Sequence, residues 1–298
     1  MTTEEKIANQ ENQVQKNPER LKILERIEEY EKKGWFSKDV EEDPPTIPLT
    51  PDKIDYINKK LSNKIISKYA MHQAVSFVRK LIKNKQMIIK EVRGIENFTK
   101  LSNQGAILTC NHFNAFDNFC IHWVLRPYLN KEGREMHVII REGNYTNFPG
   151  FFGFIMRHCY TLPLSANFST MKKFHKSLKI LLDRGEKVLI YPEQGMWWNY
   201  RKPRPMVGGA FRFAVENKVP IIPMLITMED TENIDGDGFP IQAYTLHIMP
   251  AIYPDPNKSN KENMEYLKDE NYKVWKQTYE DFYKIPLTYT TETSSTNE

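Results

Sequence analysis

The chain has 298 residues, 40% of them apolar and 12% aromatic, and a net charge of +4. That is enough for one sizeable α/β domain with a helical appendage, and it excludes a chain disordered throughout. Three cysteines, Cys110, Cys120 and Cys159, form no CxxC pair. This argues against a zinc cluster or metal site and fits a reducing compartment better than a disulfide scaffold.

The N-terminus, Met1 to Glu19, is polar and lacks an apolar h-region, so it predicts no secretory signal. No run of about 18 apolar residues predicts a transmembrane helix. A chain of this kind that acts on lipid must do so from the membrane surface. Residues 1–50 lean acidic. Residues 53–85 carry Lys53, Lys59, Lys60, Lys64, Lys68, Arg79, Lys80, Lys83 and Lys85 against Asp55 alone. Such asymmetry points to an anionic partner surface for the basic segment.

In chain order, residues 18–33 predict a charged helix stopped at Gly34. Residues 42–51, with four prolines, predict an extended linker. A long helix is expected from Asp52 to about Lys83. Its stripe of Ile54, Ile57, Leu61, Ile65, Tyr69, Val75, Val78 and Ile82 recurs mostly at three- and four-residue steps. This basic amphipathic helix has two readings: it docks on the core with its lysines in water, or it rests on anionic lipid head groups.

From Gln86 short apolar runs alternate with helices. Strands are expected at Met87–Val92, Ala106–Cys110, Val138–Arg141, Val188–Tyr191, Val219–Met228 and Tyr244–Met249. Helices are expected at Asn114–Arg126 (stopped by Pro127), Asn167–Arg184, Gly208–Asn217 and Glu262–Tyr283. The tail over 288–298 has a disordered composition. Alternation of this kind predicts an α/β fold, a mostly parallel sheet covered by helices on both faces. The active site of such a sheet lies at the carboxyl ends of its strands.

Two strand ends carry candidate chemistry. The first runs into Asn111-His112-Phe113-Asn114-Ala115-Phe116-Asp117. A histidine can accept a proton from a hydroxyl, and a carboxylate on its other ring nitrogen fixes the tautomer. The structural alternative is that Asp117 belongs to a capping box with Asn114 and that His112 bonds backbone. The second runs into Tyr191-Pro192-Glu193-Gln194-Gly195. Here the Gly195 N–H can serve an oxyanion, or the segment is a turn with a solvated glutamate. The stretch Met196 to Arg204 mixes aromatics with cations. It suits either a substrate-facing lip or a packed loop.

Together these blocks resemble the lysophospholipid acyltransferase family over about residues 86–252. Asn111-His112 and Asp117 match its Asn-His-x4-Asp block. Tyr191-Pro192-Glu193 matches its Phe-Pro-Glu-Gly block. Gly208-Gly209-Ala210-Phe211 loosely matches its Lys-Gly-Ala-Phe segment, and Val219-Pro220-Ile221-Ile222-Pro223 its Val-Pro-Ile-x-Pro strand.

The resemblance implies His112 as base and Asp117 as its orienting partner, with no cofactor. Asn111, Glu193 and Gly195 would contribute to substrate binding, Glu193 at the acceptor's glycerol phosphate. The acyl donor would be acyl-CoA or acyl carrier protein, and the acceptor a lysophospholipid hydroxyl in phospholipid biosynthesis.

Two arginines that the family uses to hold phosphate are absent. The third block continues Gln194-Gly195-Met196, and the second block ends Leu162-Pro163-Leu164-Ser165-Ala166. Arg157, Arg201, Lys202 and Arg204 are the candidate replacements, and the acceptor's head group is expected to differ from lysophosphatidic acid.

The implied organisation is an acidic helix and linker over 1–50, a basic membrane-facing helical element over 51–85, and an acyltransferase domain over 86–287. The protein would be cytoplasmic and peripheral on the inner face of the cell membrane. A catalytically inactive lipid-binding relative and a thioesterase are the alternatives. No Gly-x-Ser-x-Gly elbow supports a serine esterase, and no motif supports nucleic-acid binding.

Overall fold

A computed structural model describes residues 15–41 and 46–291. Residues 1–14, part of the expected linker (42–45) and most of the expected disordered tail (292–298) lie outside the described residues.

Helix α1, Pro18–Lys32, starts at Asn17, whose side chain accepts the Glu19 N–H. It ends at Gly34, which takes a left-handed φ of 68°. The expected helix over 52–83 begins only at Leu61. Residues 51–53 form a short 3-10 turn, and α2 spans Leu61–Lys83.

The predicted stripe along α2 does not face one way. Four-residue steps rotate by about 40° each around a helix, so a stripe built from them walks off the core face. Leu61, Ile65 and Tyr69 are accordingly exposed. Ala70, Met71, Ala74, Val78 and Leu81 are the residues that pack inward.

The strands are β1 Ile88–Arg93, β2 Ala106–Thr109, β3 Met136–Ile140, β4 Thr161–Pro163, β5 Lys187–Ile190, β6 Ile221–Ile234 and β7 Pro240–Ile248. They form one sheet in the order β1-β7-β6-β2-β5-β3-β4. Strands β2 to β6 run parallel to one another. The β6/β7 pair is antiparallel, and β1 runs parallel to β7.

Alternate residues of the central strands face opposite layers. Ile107 and Val188 pack with Phe174, Leu178 and Leu181 of α7 (Phe168–Asp183) and Phe211 of α8 (Gly209–Asn217). Leu108 and Leu189 pack with Val78 of α2 and Ile121, Leu125 and Leu129 of α4 (Asp117–Glu132). The fold is therefore α/β, with a mostly parallel sheet covered on both faces.

Helix α4 does not stop at Pro127. It continues to Glu132 and ends at left-handed Gly133. A proline inside a helix costs about 3 kcal/mol. Burial of Leu125 and Leu129 on either side contributes roughly 1.5–3 kcal/mol each and offsets it.

Short elements were not anticipated: α3 (Ile95–Thr99), α5 (Glu142–Thr146), α6 (Gly150–His158) and β4. Helix α9 spans Asn260–Tyr283, with a capping box at Ser259 and Glu262. The segment after it, expected to be disordered from residue 288, is seated as far as Thr291. The Tyr289 hydroxyl bonds the Pro203 carbonyl, and Thr290 N–H donates to Glu31. No helix among the described residues is long and apolar enough to cross a membrane.

Candidate active site

The parallel strands β2, β5 and β3 are neighbours, and their carboxyl ends deliver His112, Tyr191 and Arg141 to one edge of the sheet. These residues line a cavity of about 700 Å³ beneath α2 and α6. Its wall is mostly apolar and includes Met136, Val138, Ile155, Met156, Leu164 and Met171.

His112 Nδ1 lies 2.7 Å from Asp117 Oδ2. The same oxygen accepts the backbone N–H of Phe113 at 3.1 Å and of Asn114 at 3.3 Å. One buried carboxylate thus closes the loop before α4 and faces the imidazole; it is not part of a capping box, because the helix N-cap is Phe116 and makes no side-chain cap bond. The other oxygen, Oδ1, accepts the Tyr191 hydroxyl at 2.6 Å. The Tyr191 ring stacks on the imidazole with centroids 4.1 Å apart and planes 17° off parallel. Burial, and then the Asp117 charge, hold the Tyr191 hydroxyl well above its usual range, so it stays protonated as a donor.

The second loop is turned inward. Glu193 is 2% exposed, so it is not the solvated glutamate of a simple turn. Its Oε2 accepts the His112 backbone N–H at 3.0 Å and the Arg204 guanidinium at 2.9 Å. Its Oε1 accepts the Arg204 N–H at 2.7 Å. Arg204, 1% exposed, also bonds the carbonyls of Phe36, His112 and Gly195 and lies over the Trp197 ring. The pair thus braces the backbone that carries His112.

The Gly195 N–H contacts the Glu193 carbonyl. A Cβ at Gly195 would come within 2.8 Å of Asp39 Oδ1 and 3.0 Å of the Lys38 carbonyl. Its close approach is to the N-terminal segment. Residues 196–204 are a packed loop, with Trp197 and Trp198 buried.

Asn111 is buried and makes a two-way bond with Ile226 of β6, accepting its N–H at 2.8 Å and donating to its carbonyl at 3.0 Å. That fixes the end of β2 against its neighbour. Arg157 donates to the carbonyls of Tyr145 and Phe148. Arg201 pairs with Asp230 at 2.8 Å, and Lys202 with Glu31 of α1 at 2.7 Å. None of Arg157, Arg201, Lys202 and Arg204 lines the cavity; its guanidinium groups are Arg141 and Arg212.

Arg141 was not singled out in the sequence. Its signal was available: it is the last residue of a predicted strand, on the edge where ligands bind. Asp39 pairs with it through two contacts, at 2.6 and 2.7 Å.

No curated protein matches the chain. Among solved structures it is similar to the crystal structure of the 1-acyl-sn-glycerophosphate (LPA) acyltransferase, PlsC, from Thermotoga maritima. The TM-score is 0.52 at 17% identity, over 76% of this chain and 85% of that one. At that identity the likeness speaks for the fold. The segment that carries both strand-end loops, residues 90–227, matches the family model described as Acyltransferase.

Proposed function

We propose that the chain is an O-acyltransferase. It moves a fatty acyl group from an acyl thioester, acyl-CoA or acyl carrier protein, to the hydroxyl of a lysophospholipid. The observation that carries this reading is the His112–Asp117 pair, 2.7 Å apart, at the wall of a largely apolar cavity.

With its Nδ1 proton donated to Asp117, His112 keeps the Nε2 lone pair for the acceptor hydroxyl. Removal of that proton lets the oxygen attack the thioester carbonyl. The tetrahedral intermediate collapses, the C–S bond breaks, and the thiolate leaves with the proton that the imidazolium returns. The products are an ester and a free thiol. Asp117 stabilises the imidazolium between the two transfers. Glu193 and Asn111 support the loop from behind, and Arg141 takes the place of the missing family arginines towards the acceptor's phosphate.

The same reading places the protein on the inner face of the cell membrane. Leu61, Ile65, Ile66 and Tyr69 of α2 and Phe148, Phe151 and Phe152 beside α6 are exposed large apolar groups. Tyr69 contacts Phe154, and Phe77 contacts Phe151 and Phe152, so the two sets belong to adjoining helices. Lys59, Lys60, Lys64 and Lys68 share the stretch of chain that carries the α2 set and would each add on the order of 1 kcal/mol on an anionic surface.

The test is thiol release from acyl-CoA, and separately from acyl carrier protein, by the purified chain with dispersed lysophospholipids. Release that requires the lysolipid is the expected result. Release without it would make the protein a thioesterase. No release from either donor would point to an inactive lipid-binding relative.

A further inference from the structure

The charges around the cavity point beyond the reaction class to the head group of the acceptor. Both guanidinium groups that line the cavity already face a carboxylate. Arg141 holds Asp39 in a two-pronged pair, and Arg212 Nε lies 3.7 Å from Glu216. Asp39 lines the same cavity, as does one more carboxylate outside the catalytic pair, Glu41, which Arg20 meets at 3.1 Å. His122, also in the wall, is pushed down to about 4 by burial and then by Arg126, so it adds no positive charge at neutral pH. A phosphomonoester dianion would displace Asp39 and leave that carboxylate beside it without a counter-charge. A neutral head group would gain nothing from opening the pair.

We infer that the acceptor carries a zwitterionic head group, a phosphodiester with an ammonium, and that Asp39 together with Arg141 selects it. This rests on the acyltransferase reading. The exchange gives Arg141 and Asp39 each a new partner of opposite charge. The phosphodiester takes the planar fork of Arg141, which suits two oxygens of a phosphate as well as those of a carboxylate. The ammonium takes the released Asp39, with Glu41 close along the chain.

Position and cost agree with the exchange. Arg141 directly follows β3, two strands from the β2 end that carries His112, a lateral separation of about 10 Å. A glycerophosphate reaching from the imidazole to a long arginine side chain bridges that span. Asp39 is held ready by its neighbours. The Lys38 carbonyl accepts the Trp197 indole N–H at 2.8 Å, and the carbonyl of buried Val40 accepts Arg26 at 2.6 Å. The pair itself is 42% and 35% exposed, so opening it lowers affinity by no more than roughly fivefold.

The test compares three lysolipids with one acyl chain in mixed micelles: lysophosphatidylethanolamine, lysophosphatidylglycerol and lysophosphatidic acid. Wild type is expected to favour the zwitterion in kcat/KM by about tenfold or more. Asp39→Asn should raise KM for the zwitterion roughly five- to tenfold and improve the anionic phosphodiester. Glu41→Gln should act in the same direction and less. A wild-type preference for lysophosphatidic acid would overturn the inference. So would an unchanged zwitterion KM in both variants at equal thermal midpoint.

Equilibrium binding of the same micelles to His112→Ala ranks the head groups without turnover. If wild type acylates none of them, the acyltransferase reading fails while this ranking still decides the head group. A ranking in which the zwitterion does not lead overturns the inference.

Discussion

The loops after β2 and β5 look alike in sequence and differ in what their carboxylates meet. Each is a buried strand that empties into a short turn with one acid. Asp117 meets an imidazole whose side chain keeps 23% of its surface open at the cavity wall. Glu193 meets a guanidinium in the interior, with both partners almost fully enclosed. The first acid is set beside a group that can exchange a proton with a ligand. The second fixes the backbone on which that group stands. A carboxylate at a strand end is thus given its role by its partner, and the partner comes from elsewhere in the chain.

The largest expected effect breaks the first loop alone. Asp117→Asn should lower kcat by roughly 100- to 10,000-fold, because the imidazole loses its tautomer and its counter-charge. Steady-state turnover beside a thermal melt checks this, and a melt that moves little separates chemistry from fold.

Arg204→Met breaks the second loop. It leaves Glu193 buried without its cation and should cost about 3–5 kcal/mol of stability. Denaturant unfolding measures this, and the turnover of the fraction that remains folded should fall far less than in Asp117→Asn, because Arg204 acts only through the backbone that carries His112.

Tyr191→Phe joins the two loops with a smaller effect. It keeps the stacked ring and removes the 2.6 Å bond to Asp117. Asp117 then carries more of its charge towards His112 and stabilises the imidazolium. The two proton transfers are no longer balanced as in wild type, and kcat should be a few-fold lower in steady-state turnover. Tyr191→Leu also removes the stacking and should fall further.

The smallest effect is at the cations outside the cavity. Arg201→Ala breaks a pair with an exposed aspartate and should change stability by less than about 1 kcal/mol and leave KM for the acceptor unaltered. A large rise in KM would return Arg201 to the acceptor site.

These contrasts also mark what was legible in the sequence. The central strands were readable because each is a continuous apolar run, and β2 and β5 are buried at every position. Helix α7, expected over Asn167–Arg184, is found at Phe168–Asp183, with Asn167 as its cap. The His112–Asp117 pair was visible because both members lie on one loop. What escaped was non-local. Glu193 looked like a ligand-facing acid because Arg204 sits beyond a loop of tryptophans. Arg141 was missed because the carboxylate that marks its place, Asp39, comes from the N-terminal segment. Strand β4 has three residues at a sheet edge, too short for any alternation to register.

The account turns on His112 as the base. Its most direct test is lysolipid-dependent thiol release by His112→Ala beside wild type, at equal folded fraction. The account predicts that the variant binds the same micelles and releases thiol at least about a hundredfold more slowly. A variant that turns over at the wild-type rate would contradict it.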